Sequence, residues 1–450
     1  MRSKIGRIFT VGANAAYSKD YTVKTLTGKS FFSQSALGAL YAAYVWSPFD
    51  DMSHYLNEDG TRYRMFGDRL DPWDERTNPY WVVNKNKMDD ETRRFTGNVS
   101  VRADVAPWWN ISYKLGLDTY TQKAGTRVAP GGVYSLDWQN GMMSDNQMTF
   151  HYLTHNVLSN MNWKVKDWDL GLLLGAQWDE TNVNKIYTMG LNLQVPEFYS
   201  YDNIPDANKK FSKSDSKKRI MGVFGEFHTS WKNMLFLTVT GRNDWTSTLP
   251  ADSRSYFYPS VSGAFAFSEL IPKNDVLDFG KVRLSWAQVG KDTGVYETTT
   301  SLWPVGTYLE GKIGLGNSWT RGNPYLKPEI TRSFEAGLEM HFFNNRLNFD
   351  YTFYTNDSFN QILSPRGPQS TGYIFCSINA ANVYNRGMEL SINAIPVETR
   401  NFRWDLGFNI AGNRGTLDGL PDGTNVMYVT DVQYANAQAA SFNNGNFMGI

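Results

Sequence analysis

The chain has 450 residues, with 44 Lys and Arg set against 44 Asp and Glu. That balance leaves no basic face for nucleic acid and no polybasic membrane anchor. A single cysteine, Cys376, excludes an internal disulfide framework and reads as an ordinary loop or strand residue.

Mean hydropathy is −0.45, and no apolar run approaches the roughly 20 residues of a membrane helix. The best candidate, residues 36–46, is short and broken by Gly38. A barrel strand is apolar on alternate residues only, so its average hydropathy looks soluble. Aromatics make up 15% of the chain, which suits the aromatic girdles of a tall barrel.

Alternation of period two predicts thirteen strands. They run over 5–18, 91–106, 109–123, 148–164, 168–184, 216–232, 234–247, 256–268, 280–290, 329–343, 346–363, 382–397 and 402–413. In the third, Trp109, Ile111, Tyr113, Leu115 and Leu117 alternate with Asn110, Ser112, Lys114, Gly116 and Asp118. In the tenth, Phe334, Ala336, Leu338, Met340 and Phe342 alternate with Glu335, Gly337, Glu339 and His341. Most exceed the 9–11 residues that span a bilayer when tilted, so they should project beyond it.

The connections alternate short and long. Short ones fall at Pro107-Trp108, 165–167, Asn233, Asn344-Asn345 and 399–401, and 269–279 belongs to the same end. Long ones fall at 19–90, 124–147, 185–215, 291–328 and 364–381, with a tight one at 248–255. Outer-membrane barrels have short periplasmic turns and long extracellular loops. Trp109, Trp163, Trp168, Trp231 and Trp404 sit at or beside the short-turn ends, where an aromatic belt belongs. The fold expected is all-β, a transmembrane antiparallel β-barrel.

Thirteen is odd, whereas bacterial single-chain barrels have even strand numbers. An open thirteen-strand sheet would leave two unpaired edges in lipid. No apolar leader segment follows residues 1–7. The expectation is one partial barrel over 1–450, continuing beyond both ends in a parent protein.

Several segments carry a resemblance. Residues 323–329 (NPYLKPE), then 334–339 (FEAGLE) and 345–347 (NRL), resemble the SusC/RagA family of TonB-dependent transporters. So do 256–269 (YFYPSVSGAFAFSE), 281–290 (KVRLSWAQVG) and 382–390 (NVYNRGMEL). Their order and spacing match over essentially the whole chain. The resemblance implies a 22-stranded outer-membrane barrel of Bacteroidota. It implies an N-terminal plug, a TonB box coupling to the TonB complex, and a SusD-like surface lipoprotein as lid. Its implied substrates are oligosaccharides or peptides too large for porins. The plug domain, the TonB box and the remaining strands are absent from this sequence.

Catalytic and cofactor signals are weak. Thr27-Gly28-Lys29-Ser30 ends like a phosphate loop, but Val23 stands where the first glycine is required. His151 and His155 on a strand would lie about 13 Å apart, too far to share one metal ion. His54, His228 and His341 have no ligand partner close in sequence, and His341 follows Glu335 and Glu339 on a polar face. Acidic pairs such as Asp50-Asp51, Asp71/Asp74 and Asp89-Asp90 sit in loops or at strand ends and define no glycosidase geometry. No cofactor, metal or nucleic-acid partner is expected, and no enzyme.

Loop aromatics remain as substrate contacts, because a flat ring can stack on the apolar face of a sugar or pack on a peptide side chain. The candidates are Trp138, Trp303, Tyr308 and Trp319, with Tyr134 and Tyr325 in the same loops. The bland alternative is that such rings pack within their own long loops. Two rivals to an importer stand beside it. One is a passive outer-membrane pore or surface-binding barrel; the other is a soluble secreted all-β binding protein.

Overall fold

The computed structural model describes residues 2–25, 38–63, 78–132, 138–272, 274–307, 313–365 and 368–420. The chain opens with β1 (Arg2–Ile5) and β2 (Phe9–Lys24). Two short helices follow, α1 (Ala39–Val45) and α2 (Pro79–Lys85). Then come β3 (Lys87–Ala106), β4 (Trp109–Val128), β5 (Met142–Val165), β6 (Trp168–Leu191) and β7 (Lys209–Trp231). Next are β8 (Leu235–Thr246), β9 (Ser255–Phe265) and β10 (Leu277–Lys291). The short β11 (Leu302–Thr307), β12 (Ile313–Asn317) and β13 (Thr320–Arg321) belong to a loop. β14 (Glu329–Phe342) and β15 (Leu347–Phe359) precede the short β16 (Ile362–Leu363), β17 (Phe375–Cys376) and β18 (Ile378–Asn379). β19 (Asn382–Glu398) and β20 (Arg403–Asp418) close the described chain.

Fourteen of these strands form one antiparallel sheet in chain order: β1 to β10, then β14, β15, β19 and β20. Among the described residues β1 and β20 each pair on one side only, so the sheet is open, as a partial barrel requires. Thirteen strands were expected. The fourteenth is β1, which lies just before the expected 5–18 strand: Gly6 takes a left-handed φ of +65° and turns β1 onto β2. The strands also run further at the long-loop end than alternation indicates. β6 continues to Leu191 and β7 begins at Lys209, which shortens the expected loop 185–215 to 192–208. There apolar residues fall on both faces of β6 (Ile186 on one, Tyr187, Met189 and Leu191 on the other) and 209–215 is mostly Lys and Ser, so the period-two signal vanishes while the backbone ladder persists, with Gly190 opposite Lys209.

The register joins apolar positions into a continuous band. Val11 lies opposite Val101, Val101 opposite Tyr113, Tyr113 opposite Val157, Val157 opposite Ala176 and Ala176 opposite Val223. Further on, Phe227, Val239, Val261, Trp286 and Phe334 make another row. On β6 the band runs from Trp168 through Leu170, Leu172, Leu174 and Ala176 to Trp178. Those eleven residues rise about 33 Å along the strand, or about 25 Å at a tilt near 40°, the height of a lipid-facing belt. All five short-turn tryptophans lie on this face. Trp168 pairs with Trp231, and Trp108 stacks against Trp109 and Trp163 at 6.0 and 5.7 Å.

Short turns use residues that tolerate left-handed backbone. Asn233 has φ +55°, and Asn344 and Asn345 have +58° and +60°. The packed core lies at the opposite end, among the loops. Ala39, Val82, Val128, Met142 and Leu191 form one cluster, which joins α1 and α2 to the ends of β4, β5 and β6. Asn78 starts α2 by accepting from the Tyr80 and Trp81 amides, with Pro79 in the first turn where no amide is needed.

Candidate functional site: the polar face and the long-loop end

Residues that alternate with the apolar band build a charged wall. On β8 and β9, the Arg242 Nε donates to Asp244 at 2.8 Å and its Nη1 to Gln177 at 3.0 Å. Tyr258 donates to the other Asp244 oxygen. The Arg242 guanidinium lies 5.2 Å from the Phe224 ring. Nearer the loops, Lys218 pairs with Asp292 at 2.7 Å, and the Thr246 and Thr248 hydroxyls donate to the same carboxylate. Nearer the short turns, Lys281 and Arg283 meet Glu339 at 2.7 and 3.3 Å, and Arg283 also reaches Asp350 at 2.8 Å. On β3 and β4, Arg94 pairs with Asp118 at 2.8 and 2.5 Å. Charges are tolerated on a wall only where water or other polar groups meet it.

These networks were not singled out by the sequence beyond Glu335, Glu339 and His341. Arg242 and Asp244 are two residues apart on β8, but Gln177 lies on β6, 65 positions away, and Tyr258 on β9. Only Gln177, between Ala176 and Trp178, showed its face by alternation; Arg242 and Asp244 stand beside Gly241 and Asn243, so register with β7 sets theirs. The same wall has glycines covered by rings from the next strand. A side chain at Gly175 would meet Phe224, and one at Gly171 would meet His228.

The histidines split. His151 and His155 lie on the apolar face, with His151 bonded to Thr119 at 2.7 Å and His155 to Tyr113 at 2.8 Å. His155 also stacks on Trp178 at 5.0 Å. His341 lies on the polar wall beside Glu339, and His54 stacks on Tyr63 in a loop. Among the described residues no group of three or more His, Cys, Asp or Glu could hold a metal ion.

At the loop end, residues 323–329 act as a staple. Asn323 accepts from the Tyr325 amide at 2.9 Å, which turns the chain and drives Leu326 into full burial with Leu249 and Tyr256. Lys327 and Asn379 exchange two hydrogen bonds at 2.8 and 2.9 Å, and Ser253 donates to the Leu326 carbonyl. Glu329 accepts from the Ile362 amide at 2.8 Å. Three loops are thereby tied together.

The candidate aromatics fall in different settings. Trp138 is partly buried against the α1/α2 cluster. Trp319 is 40% exposed, and its carbonyl accepts from the Ile374 and Phe375 amides at 2.9 Å. Trp303 lies in β11, its backbone opposite Gly316. Tyr308 and Tyr134 lie outside the described residues, as do 26–37, with the phosphate-loop-like run, and Asp71 and Asp74. Tyr325 is 83% exposed beside the staple.

In the 192–208 loop, burial pushes the Tyr199 phenol up to about 12, with the Glu197 charge adding to it. The raised value favours the neutral folded form, so its stabilising contribution is present below pH about 10 and lost as pH rises from there through about 12. Absorbance titration of the chain against Tyr199→Phe should therefore remove a phenol component near pH 12. Loss of a component near pH 10 would mean Tyr199 is solvated.

An antiparallel sheet with a lipid-height apolar face, a charged opposite face, short turns at one end and packed loops at the other defines a wide transmembrane β-barrel, present here in part. The chain belongs to the TonB dependent receptor-like β-barrel family, whose pattern matches residues 8–449. It is 25% identical over 378 residues to TonB-dependent receptor P26 of Formosa agariphila, covering 80% of this chain and 37% of that protein. It is 29% identical over 227 residues to TonB-dependent receptor SusC of Bacteroides thetaiotaomicron, covering 48% of this chain and 22% of that protein. Its fold is that of the solved RagAB peptide transporter, with TM-score 0.77 and 19% identity, over 96% of this chain and 47% of that one. The chain thus spans less than half the length of each of these relatives. The family is one of receptors and transporters.

Proposed function

We propose that this chain is barrel wall of an outer-membrane importer for large solutes, oligosaccharides or peptides, working with the TonB complex and a SusD-like surface lipoprotein. The observation that carries the reading is the two-faced sheet. One face is apolar over a height of about 25 Å, and the other holds Arg94, Arg242, Lys281 and Arg283, each with a carboxylate partner. A passive hydrated wall would be served by scattered polar groups. Bonded charge networks suit a lumen that contacts protein or polar solute as well as water. Family membership supports energy-coupled uptake, and the RagAB relative is described as a peptide transporter.

At the long-loop end we assign substrate contact first to Trp319, the exposed ring beside the tied loops, with Trp303 and Tyr308 in the same loop. Trp138, packed against the α1/α2 cluster, would support the loop from within. The test is deletion of this reading frame in its host, followed by growth on large oligosaccharides or oligopeptides as sole carbon source. Loss of growth on one class is expected. Unchanged growth on both, or recovery of the protein from the soluble fraction without detergent, would refute the importer.

A further inference from the structure

β7 rises past its neighbour on one side. Its pairing with β8 stops at Ile220, opposite Thr246, while its pairing with β6 continues to Lys209. Residues 209–219 therefore run about 33 Å beyond the β8 ladder with one edge open. This is not the margin of the sheet. Six strands stand before β7 in the sheet and seven after it, and β6, β8 and the 247–254 turn are described throughout.

The bonds at either end fix which backbone groups face that edge. The Arg219 carbonyl accepts from the Ser247 amide at 2.9 Å, and the Arg219 amide donates to the Ser247 hydroxyl at 2.9 Å. Lys232 instead donates to Asp167, on the β6 side. Odd-numbered residues of β7 thus face β8, and the unbroken register with β6 carries that parity upward. Phe211, Lys213, Asp215 and Lys217 each turn an amide and a carbonyl to the open edge. None of these groups has a partner among the described residues.

The extension is basic. It carries Lys209, Lys210, Lys213, Lys217, Lys218 and Arg219 against Asp215. Four carboxylates, Asp206, Asp215, Glu180 and Asp292, pair with five of these cations, and Glu180 serves both Lys217 and Arg219. The Lys209 and Lys213 pairs are exposed and contribute little, so an incoming carboxylate replaces them at small cost. Lysines on an open edge repel neutral and basic strands. The same charges attract an acidic one.

We infer that the open edge of β7 takes an extended acidic peptide by strand addition, as the first contact of the imported solute. An extended peptide completes the ladder with its own amides and carbonyls, whereas an oligosaccharide has no such row. The inference rests on the importer reading and narrows its solute to acidic oligopeptides.

The test is fluorescence anisotropy on the intact protein, purified in detergent from its host. The probes are a labelled decapeptide alternating Glu and Val, its depsipeptide with an ester oxygen in place of each backbone N–H, a Lys/Val decapeptide and oligogalacturonate. The acidic peptide should bind at least about tenfold more tightly than the depsipeptide, which keeps the charge and loses the donors. The other two should bind more weakly still. Asp215→Pro removes one edge-facing amide and one negative charge and leaves the β6 ladder untouched. Charge alone would tighten binding there; strand addition should weaken it at least about threefold. Asp215→Asn, which keeps the amide, should bind no more weakly than the unaltered protein. Folding of each variant is checked by its unboiled gel shift, and if Asp215→Pro fails to fold the depsipeptide decides. Equal binding of peptide and depsipeptide, tighter binding by Asp215→Pro, or no binding of the acidic peptide overturns the edge site. The importer reading is scored separately, by growth of the deletion strain on oligopeptides and oligosaccharides. Lost growth with equal binding of peptide and depsipeptide leaves the importer standing without the edge site.

Discussion

Leu174→Arg is expected to destabilise insertion into bilayers by about 2–4 kcal/mol, whereas Leu173→Arg should cost less than about 1 kcal/mol. The two residues are neighbours on β6 and differ only in face. Leu174 is 47% exposed in the middle of the apolar band, between Ser159 and Gly225. An arginine there has no partner and faces hydrocarbon. Leu173 lies on the polar wall between Asn160 and Glu226, so a guanidinium there meets a carboxylate. Urea titration of each variant in lipid vesicles, read by gel mobility, gives the two costs. Equal costs, or the larger one at Leu173, would reverse the assignment of faces.

Gly322→Ala should be the most damaging change in the loops, at about 3 kcal/mol of local stability. A side chain there would lie 2.3–2.7 Å from the carbonyl oxygen, carbonyl carbon and nitrogen of Thr299. These are backbone atoms, so no rotamer change relieves the contact. The Gly322 amide also donates to the Thr300 hydroxyl at 3.1 Å, and Asn323 donates to Glu297 at 3.0 Å. Just before it, β13 pairs with β17, and just after it the chain buries Leu326. Displacement therefore loosens the 291–328 and 364–381 loops together. Hydrogen exchange should rise in both while the sheet stays protected. Unchanged protection in 364–381 would mean that the loops are not coupled through this point.

Much of the fold was legible because a β-strand writes its geometry into the sequence. Side chains alternate strictly, so Trp109 to Leu117 announce one face and Asn110 to Asp118 the other. The spans 168–184, 329–343 and 402–413 lie inside or within a residue of observed strands. Asparagines at 233 and 344–345 mark turns because they accept left-handed backbone. Where that chemistry stops, legibility stops. The strand extension 185–191 carries apolar residues on both sides and 209–215 almost none, so neither shows a period, and the hairpin at Gly6 is too short to show one. The candidate contacts were harder still. A tryptophan in a long loop reads the same whether it faces solvent, as Trp319 does, or packs inward, as Trp138 does.

The sequence by itself determined the strands, the two faces, the end that carries the turns and the resemblance to TonB-dependent transporters. Each of these depends on residues near one another in the chain. The tertiary structure decided what meets across strands. Register brought Gln177 to Arg242 over 65 positions and set Arg386 against Arg414 over 28. The staple at 323–329 likewise acquired its meaning only when Ser253 and Asn379 arrived beside it. A backbone ladder accepts many registers in its hydrogen bonds alone. The one observed keeps every apolar row on a single face, a condition on the whole sheet rather than on any one strand.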